Sequence, residues 1–109
     1  MPLRQPDPDR ILTALGDPTR RSIVEALSTS PASVSHLAGA TGVTLTAIGQ
    51  HLQVLEECGL ARTEKTGRVR TCRLAPEGFA VLEAWITERK SLLERQLDRL
   101  GEILAEDNE

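Results

Sequence analysis

The sequence predicts a mainly α-helical domain with a small β-hairpin: five helices, with the two hairpin strands between the fourth and the fifth. Apolar residues recur at three- and four-residue spacings along most of the chain, the period of a helix with one buried face. Capping residues, glycines and prolines punctuate that pattern where helices would start and stop. The exception is the stretch from Leu60 to Leu74, where two short segments flank Lys65-Thr66-Gly67-Arg68, the pattern of a hairpin around a glycine-bearing turn.

Taken in order, Ile11, Leu12 and Leu15 form the apolar stripe of a first helix, and Gly16 suits its C′ position. Asp17-Pro18 then supplies an N-cap acceptor and a proline at the first helical position, where its missing N–H costs nothing. This second helix runs to about Ser28, with Ile23, Val24 and Leu27 inward, and Ser30-Pro31 breaks it. Ser33 caps a short third helix carrying Val34, Leu37 and Ala38, before Thr41-Gly42 turns the chain. Thr44 caps the fourth, whose apolar positions Ile48, Leu52 and Leu55 have Ala47 and His51 beside them, and Gly59 ends it. Leu60 to Glu64 and Val69 to Leu74 are the hairpin strands. Pro76 opens a last long helix in which Leu82, Trp85, Leu93, Leu97, Leu100 and Leu104 recur at close to 3.5-residue spacing, with charges on the remaining surface. A seam that narrow, on a helix that long, predicts cover from a partner helix and therefore a homodimer.

Bulk composition is that of one folded domain. With 109 residues, 39% hydrophobic and 27% charged, the chain is neither disorder-like nor long enough for two cores. Residues 1–109 are read as one domain, with 76–104 as its dimerisation helix. No stretch approaches the ~20 apolar residues of a membrane span. Met1 to Asp9 is polar and Pro-rich rather than signal-like, so no membrane association and a cytoplasmic location are expected. The net charge of −3 is unevenly spread. Residues 75–109 hold four basic and nine acidic side chains, net −5; the first 74 hold nine basic and seven acidic, net +2. The acidic excess sits on the last helix and leaves the front of the chain free to face phosphate.

Helix, turn, helix and then a basic hairpin is the winged-helix arrangement, in which the second helix of the pair enters the major groove of duplex DNA. The fourth helix turns Thr44, Leu45, Thr46, Gly49, Gln50 and Gln53 away from its apolar stripe, a small or amide-bearing, uncharged surface. The amides of Gln50 and Gln53 match the donor and acceptor pair of adenine N6 and N7, and Thr46 and Leu45 suit a thymine methyl. Arg62, Lys65, Arg68, Arg70 and Arg73 crowd the hairpin, where long cations reach phosphates or the neighbouring minor groove. Taken alone, such a cluster is more often a solvated face; behind an amide-faced helix it points to DNA.

The run Leu15-Gly16-Asp17-Pro18-Thr19-Arg20-Arg21, then Val34-x-x-Leu37-Ala38, then Gln50-His51-Leu52-x-x-Leu55-x-x-x-Gly59-Leu60, then Gly67-Arg68 resembles the ArsR/SmtB family of winged-helix repressors over roughly residues 9–104. The resemblance implies a dimer built from the first and last helices, Ile11, Leu12 and Leu15 on one side with Trp85, Leu93, Leu97 and Leu100 on the other. It implies an imperfect palindromic site on double-stranded DNA, released when a ligand or modification changes the dimer. It places Thr44 to Gln53 as recognition helix, His51 and Leu52 as that helix's packed face, and Lys65 to Arg70 as wing. This sequence departs from relatives that sense metals. Ser33 and Ser35 stand where a Cys-x-Cys pair binds thiophilic metals, and the last helix has no histidine where others bind zinc. Gly49 replaces a common serine, and Thr71 and Cys72 replace common aromatics in the wing strand. No metal, no cofactor and no particular inducer is therefore indicated.

Two further readings compete. Cys58 and Cys72 form a redox switch if folding brings their Cα atoms within ~7 Å, although paired buried hydrophobes are the commoner role of lone cysteines; two thiols alone leave a soft-metal site incomplete. A winged-helix protein-interaction module without DNA binding is the other alternative. His36 and His51 stand on different helices with no nucleophile or carboxylate motif, so packing or surface roles are expected of them and catalysis of none. One Phe, one Trp and no Tyr leave no stacking platform for single strands, which favours duplex.

Overall fold

The computed structural model describes residues 6–107; the part of the leader reading that falls on residues 1–5 lies outside them. Five helices and three strands run in the order α1 (Pro8–Leu15), α2 (Pro18–Thr29), β1 (Ala32–Ser33), α3 (Val34–Thr41), α4 (Leu45–Glu57), β2 (Ala61–Thr66), β3 (Val69–Leu74) and α5 (Pro76–Asp107). The first four helices start on side-chain caps. Asp7 accepts from the Arg10 N–H, Asp17 from Arg20, Ser33 from His36 and Thr44 from Ala47, at 2.9–3.1 Å, each supplying one of the acceptors a helix start lacks. Gly42 and Gly59 end α3 and α4 at φ 74° and 79°, where any other residue is strained. Gly16 does not follow suit. Its φ is −71°, so the expected left-handed C′ glycine is absent; its N–H donates to the Thr13 carbonyl at 3.2 Å, and the Ala14 and Leu15 carbonyls are bonded by arginines described below.

The helices and the base of the hairpin close around one apolar cluster that includes Ile11, Ile23, Leu37, Ile48, Leu55, Leu60 and Cys72, all fully buried. Ile11 was expected on the dimer face. It lies instead inside the protomer's own core, and Leu12, 43% exposed, is the apolar residue that α1 presents outward.

The sheet has a strand that the sequence pattern does not show. Its order is β1-β3-β2, all antiparallel, with Ala32 opposite Cys72 and Ser33 opposite Thr71. Two residues are too few for an alternating pattern; Pro31 holds Ser30 extended at φ −166° and lays the chain along β3. β2 and β3 pair from Ala61↔Leu74 to Thr66↔Val69. β2 thus runs to Thr66, two residues further than expected, while β3 keeps its expected range, and they join at a two-residue turn whose first position, Gly67, has φ 62°.

The last helix leaves the body. Gly78 is buried and Phe79, Val81 and Leu82 half-buried, but every residue from Glu83 to Asp107 is exposed. At ~1.5 Å per residue its 32 residues reach far beyond the core. The radius of gyration is accordingly 19.5 Å, against ~13 Å for a compact chain of this length.

Its root is a glycine contact. The Gly78 N–H donates to the Gly59 carbonyl at 2.7 Å, and a Cβ on Gly78 would sit 2.7 Å from that oxygen and 2.8 Å from the Cys58 carbonyl. Backbone on both sides cannot yield as a side chain can. Gly78→Ala is therefore expected to lower stability by about 1–3 kcal/mol, read by urea unfolding; an unchanged midpoint would show that this junction is loose.

Candidate nucleic-acid interface

Thr44, Leu45, Thr46, Gln50 and Gln53 are all exposed on α4, and Gly49 between them is half-buried with open space where a Cβ would project. Leu45 is 58% exposed. Gln53 bonds Glu57 one turn on at 3.2 Å. The opposite surface of α4 carries Ile48, Leu52 and Leu55 into the core. One face of α4 is thus committed to packing, and the other is open and amide-bearing, uncharged from Thr44 to Gln53 and bounded at its end by the Glu57 carboxylate.

Pairing register sorts the five hairpin cations. Side chains alternate across a sheet, so Ala61, Thr63 and Lys65 share a face with their partners Leu74, Cys72 and Arg70. Ala61 and Cys72 on this inner face are buried, and the Thr63 hydroxyl donates to the Glu56 carboxylate of α4. Lys65 and Arg70 therefore continue the face on which α4 lies. Arg62 and Arg73 occupy the outer face, where Arg62 pairs with Glu77 and Arg73 with Glu64 at 3.4 Å. Among the described residues, Lys65, Arg68 and Arg70 form no ion pair. The even cluster of five expected from sequence becomes two neutralised outer arginines and three available cations at the tip and inner face.

A polar node behind α4 was missed, although its residues were read as a family signature. Arg20 donates to the Ala14 carbonyl at 2.7 Å and the Thr13 carbonyl at 3.4 Å, and reaches His51 Nδ1 at 3.3 Å. Arg21 donates to the Leu15 carbonyl at 2.7 Å. Two cations thereby cover the open C-terminal carbonyls of α1, and Arg20 ties α1 and α2 to the recognition-helix candidate. The Arg20 N–H, first, and the nearby Arg20 and His51 side chains hold the Asp17 carboxyl below its usual 3.8. That contribution is present above pH 3.8 and is lost as pH falls below it. The signal available in sequence was two arginines placed four and five residues beyond Gly16.

Cys58 and Cys72 are both buried free thiols. Burial pushes each above its ordinary value of 9.0, and Cys58 donates to the Leu55 carbonyl at 3.5 Å. Redox-sensing cysteines are the reverse, exposed and thiolate-prone. In the folded chain these thiols stay protonated where denatured ones ionise, so stability should fall as pH rises above about 9. Urea midpoints across pH 7–10 read this, and Cys58→Ala/Cys72→Ala should flatten the decline; an equal decline in both chains would remove the thiols as its cause.

On α5 the outward apolar residues are Trp85, Leu93, Leu97, Leu100 and Leu104, joined by Ile86, Leu92 and Ile103, which the sequence seam omitted. The Arg89 guanidinium lies 4.8 Å over the Trp85 ring. Among the described residues no group of three His, Cys, Asp or Glu is placed to hold a metal ion, and no helix is long and apolar enough to cross a membrane.

Comparison with known proteins agrees with this geometry. Residues 17–63, which span α2 to the start of the wing, match the family described as bacterial regulatory protein, arsR family. The HTH-type transcriptional regulator Rv2034 of Mycobacterium tuberculosis (strain ATCC 25618 / H37Rv) is 43% identical over 75 residues, 69% of this chain and 70% of that one. The chain belongs to the ArsR family. A crystal structure of the ArsR family transcriptional regulator RHA00566 superposes with a TM-score of 0.73 at 44% identity, over 79% of this chain and 89% of that one. A solution structure of the homodimeric winged helix-turn-helix DNA-binding domain Mb0332 from Mycobacterium bovis, a possible ArsR-family transcriptional regulator, gives 0.61 at 26% identity, over 81% and 80%. As an ArsR-family member the protein is a transcriptional regulator with a winged helix-turn-helix fold, in a family of regulators rather than enzymes. In that fold α3 and α4 are the helix pair and β2–β3 the wing.

Proposed function

We propose that this ArsR-family protein is a homodimeric repressor that binds an imperfect palindrome on double-stranded DNA. The observation that carries the reading is the shared side of α4 and the inner hairpin face: an open, uncharged amide surface flanked by Lys65, Arg68 and Arg70 without ion pairs. In this reading α4 enters the major groove. Gln50 and Gln53 read base edges, Thr46 and Leu45 contact methyl groups, Thr44 and Gly49 allow close approach, and the three wing cations hold phosphates. Two copies join through α5 and the outer side of α1, with Leu12, Trp85, Leu93, Leu97 and Leu100 at the contact and Leu15, half-buried, at its border. The Mb0332 domain, described as homodimeric, supports the dimer itself. No inducer is proposed, and the buried, protonation-prone state of Cys58 and Cys72 gives no support to thiol control.

The test is a gel-shift titration against the duplex upstream of the protein's own gene, with competitor DNA. A discrete shift well below the ~10⁻⁴ to 10⁻⁶ M of non-specific binding is expected, at dimer stoichiometry. Gln50→Ala should then narrow the gap between this duplex and a scrambled one by about 1–3 kcal/mol. Weak, competitor-sensitive binding to every duplex tried would favour the interaction-module alternative.

A further inference from the structure

Arg70 is not simply a mobile cation on the wing. It stands directly opposite Lys65 in the β2–β3 register, and like charges facing each other across strands repel. Thr63, the diagonal neighbour two residues along β2, meets Arg70 on the same face. Arg70 Nη2 donates to Thr63 Oγ1 at 3.2 Å, and the Thr63 hydroxyl in turn donates its one proton to the Glu56 carboxylate near the end of α4. A hydroxyl has one donor and two acceptor sites, so both bonds coexist. The carboxylate polarises the hydroxyl oxygen and makes it a better acceptor for a guanidinium. Glu64, the one acidic residue of β2, is on the opposite face with Arg73 and takes no part.

We propose that Thr63, backed by Glu56, is the positioning residue that holds Arg70 on the DNA side of the wing and couples the wing's setting to the recognition helix. This rests on the assignment of Arg70 to DNA made above. Thr63 itself touches no nucleic acid. Its effect is to spare Arg70 the ordering that a free side chain undergoes on binding and to hold it against Lys65 in the absence of phosphate.

The experiment compares full-length chains carrying Thr63→Val, Thr63→Ser, Arg70→Ala and Thr63→Val with Arg70→Ala, titrated against a mixed-sequence DNA duplex over a range of salt. Thr63→Val keeps the shape and strand preference of threonine and removes the hydroxyl; it should weaken binding roughly three- to tenfold, the worth of one hydrogen bond, with a shallower salt slope. Thr63→Ser should bind like the unsubstituted chain. In the Arg70→Ala background, Thr63→Val should have no further effect, and thermal midpoints should confirm that every chain is folded. If Thr63→Val leaves affinity and slope unchanged while Arg70→Ala weakens both, or costs as much with Arg70 gone as with it present, the positioning role is overturned. If Arg70→Ala itself binds like the unsubstituted chain, the assignment of Arg70 to DNA fails, and the positioning role with it.

Discussion

Replacing Leu97 and Leu100 with aspartate should leave a folded but monomeric protein whose affinity for its DNA site falls at least a thousandfold. Both leucines are more than half exposed, on the stretch of α5 where every residue is exposed and outside the core cluster, so the packing of the winged-helix core should be unaffected. In the proposed dimer four leucines become buried, each worth about 1.5–3 kcal/mol. Exchanging them for unpaired carboxylates adds a further penalty of several kcal/mol. Loss at that scale exceeds a thousandfold in dimerisation at ~1.4 kcal/mol per factor of ten, and a monomer engages only half of a palindrome. Sedimentation should give the monomer mass, and far-UV circular dichroism should lose helix content, because an unsupported helix end is marginal in water. A doubly substituted chain that still sediments as a dimer would move the interface elsewhere, with the exposed Leu12 side of α1 the first place to look.

The second large effect is expected at the wing. Lys65→Ala/Arg68→Ala/Arg70→Ala should weaken binding to all duplexes, specific or not, by about a hundredfold or more at moderate salt. Removing one cation from its phosphate flattens the salt dependence by about one unit of slope, and the dimer would be deprived of up to six. Arg62→Ala/Arg73→Ala removes four charges per dimer from the same hairpin yet should change the slope little, because those arginines already face Glu77 and Glu64 on the outer side. Exposed pairs of that kind contribute at most ~1 kcal/mol each to stability, so both chains should remain folded. Comparable slopes for the two variants would show that total hairpin charge, rather than the face it occupies, governs binding. The measurement is fluorescence anisotropy of a labelled duplex across a salt series.

These expectations divide according to what can be read along a chain and what requires the chain to be folded. Helices α1 to α4 were legible because their information is local: Asp17-Pro18, Ser33 and Thr44 cap within three residues, and a 3.6-residue period repeats inside each helix. The long exposed seam of α5 was legible for the same reason, as was the glycine of the wing turn. The open face of α4 could also be assigned, since fixing Ile48, Leu52 and Leu55 inward fixes Gln50 and Gln53 outward.

Where distant residues meet, the sequence was silent. Strand β1 exists because β3 offers it an edge, which two residues near position 32 cannot announce. Ile11 and Leu12 are adjacent apolar residues on one helix, and only the packing of α2, α4 and the root of α5 against α1 sends the first inward and the second out. The Gly59–Gly78 contact, the reach of Arg20 to His51 across 31 positions, and the Glu56–Thr63–Arg70 chain all join separate elements. Charge shows the distinction most plainly. The amino-acid sequence by itself determined that this is a helical domain with a basic hairpin and a sticky last helix, because caps, periods and charge counts are properties of neighbours. The tertiary structure alone decided which three of five hairpin cations stand without an ion pair among the described residues, because strand register and the arrival of Glu77 from another element determine which carboxylate each arginine meets.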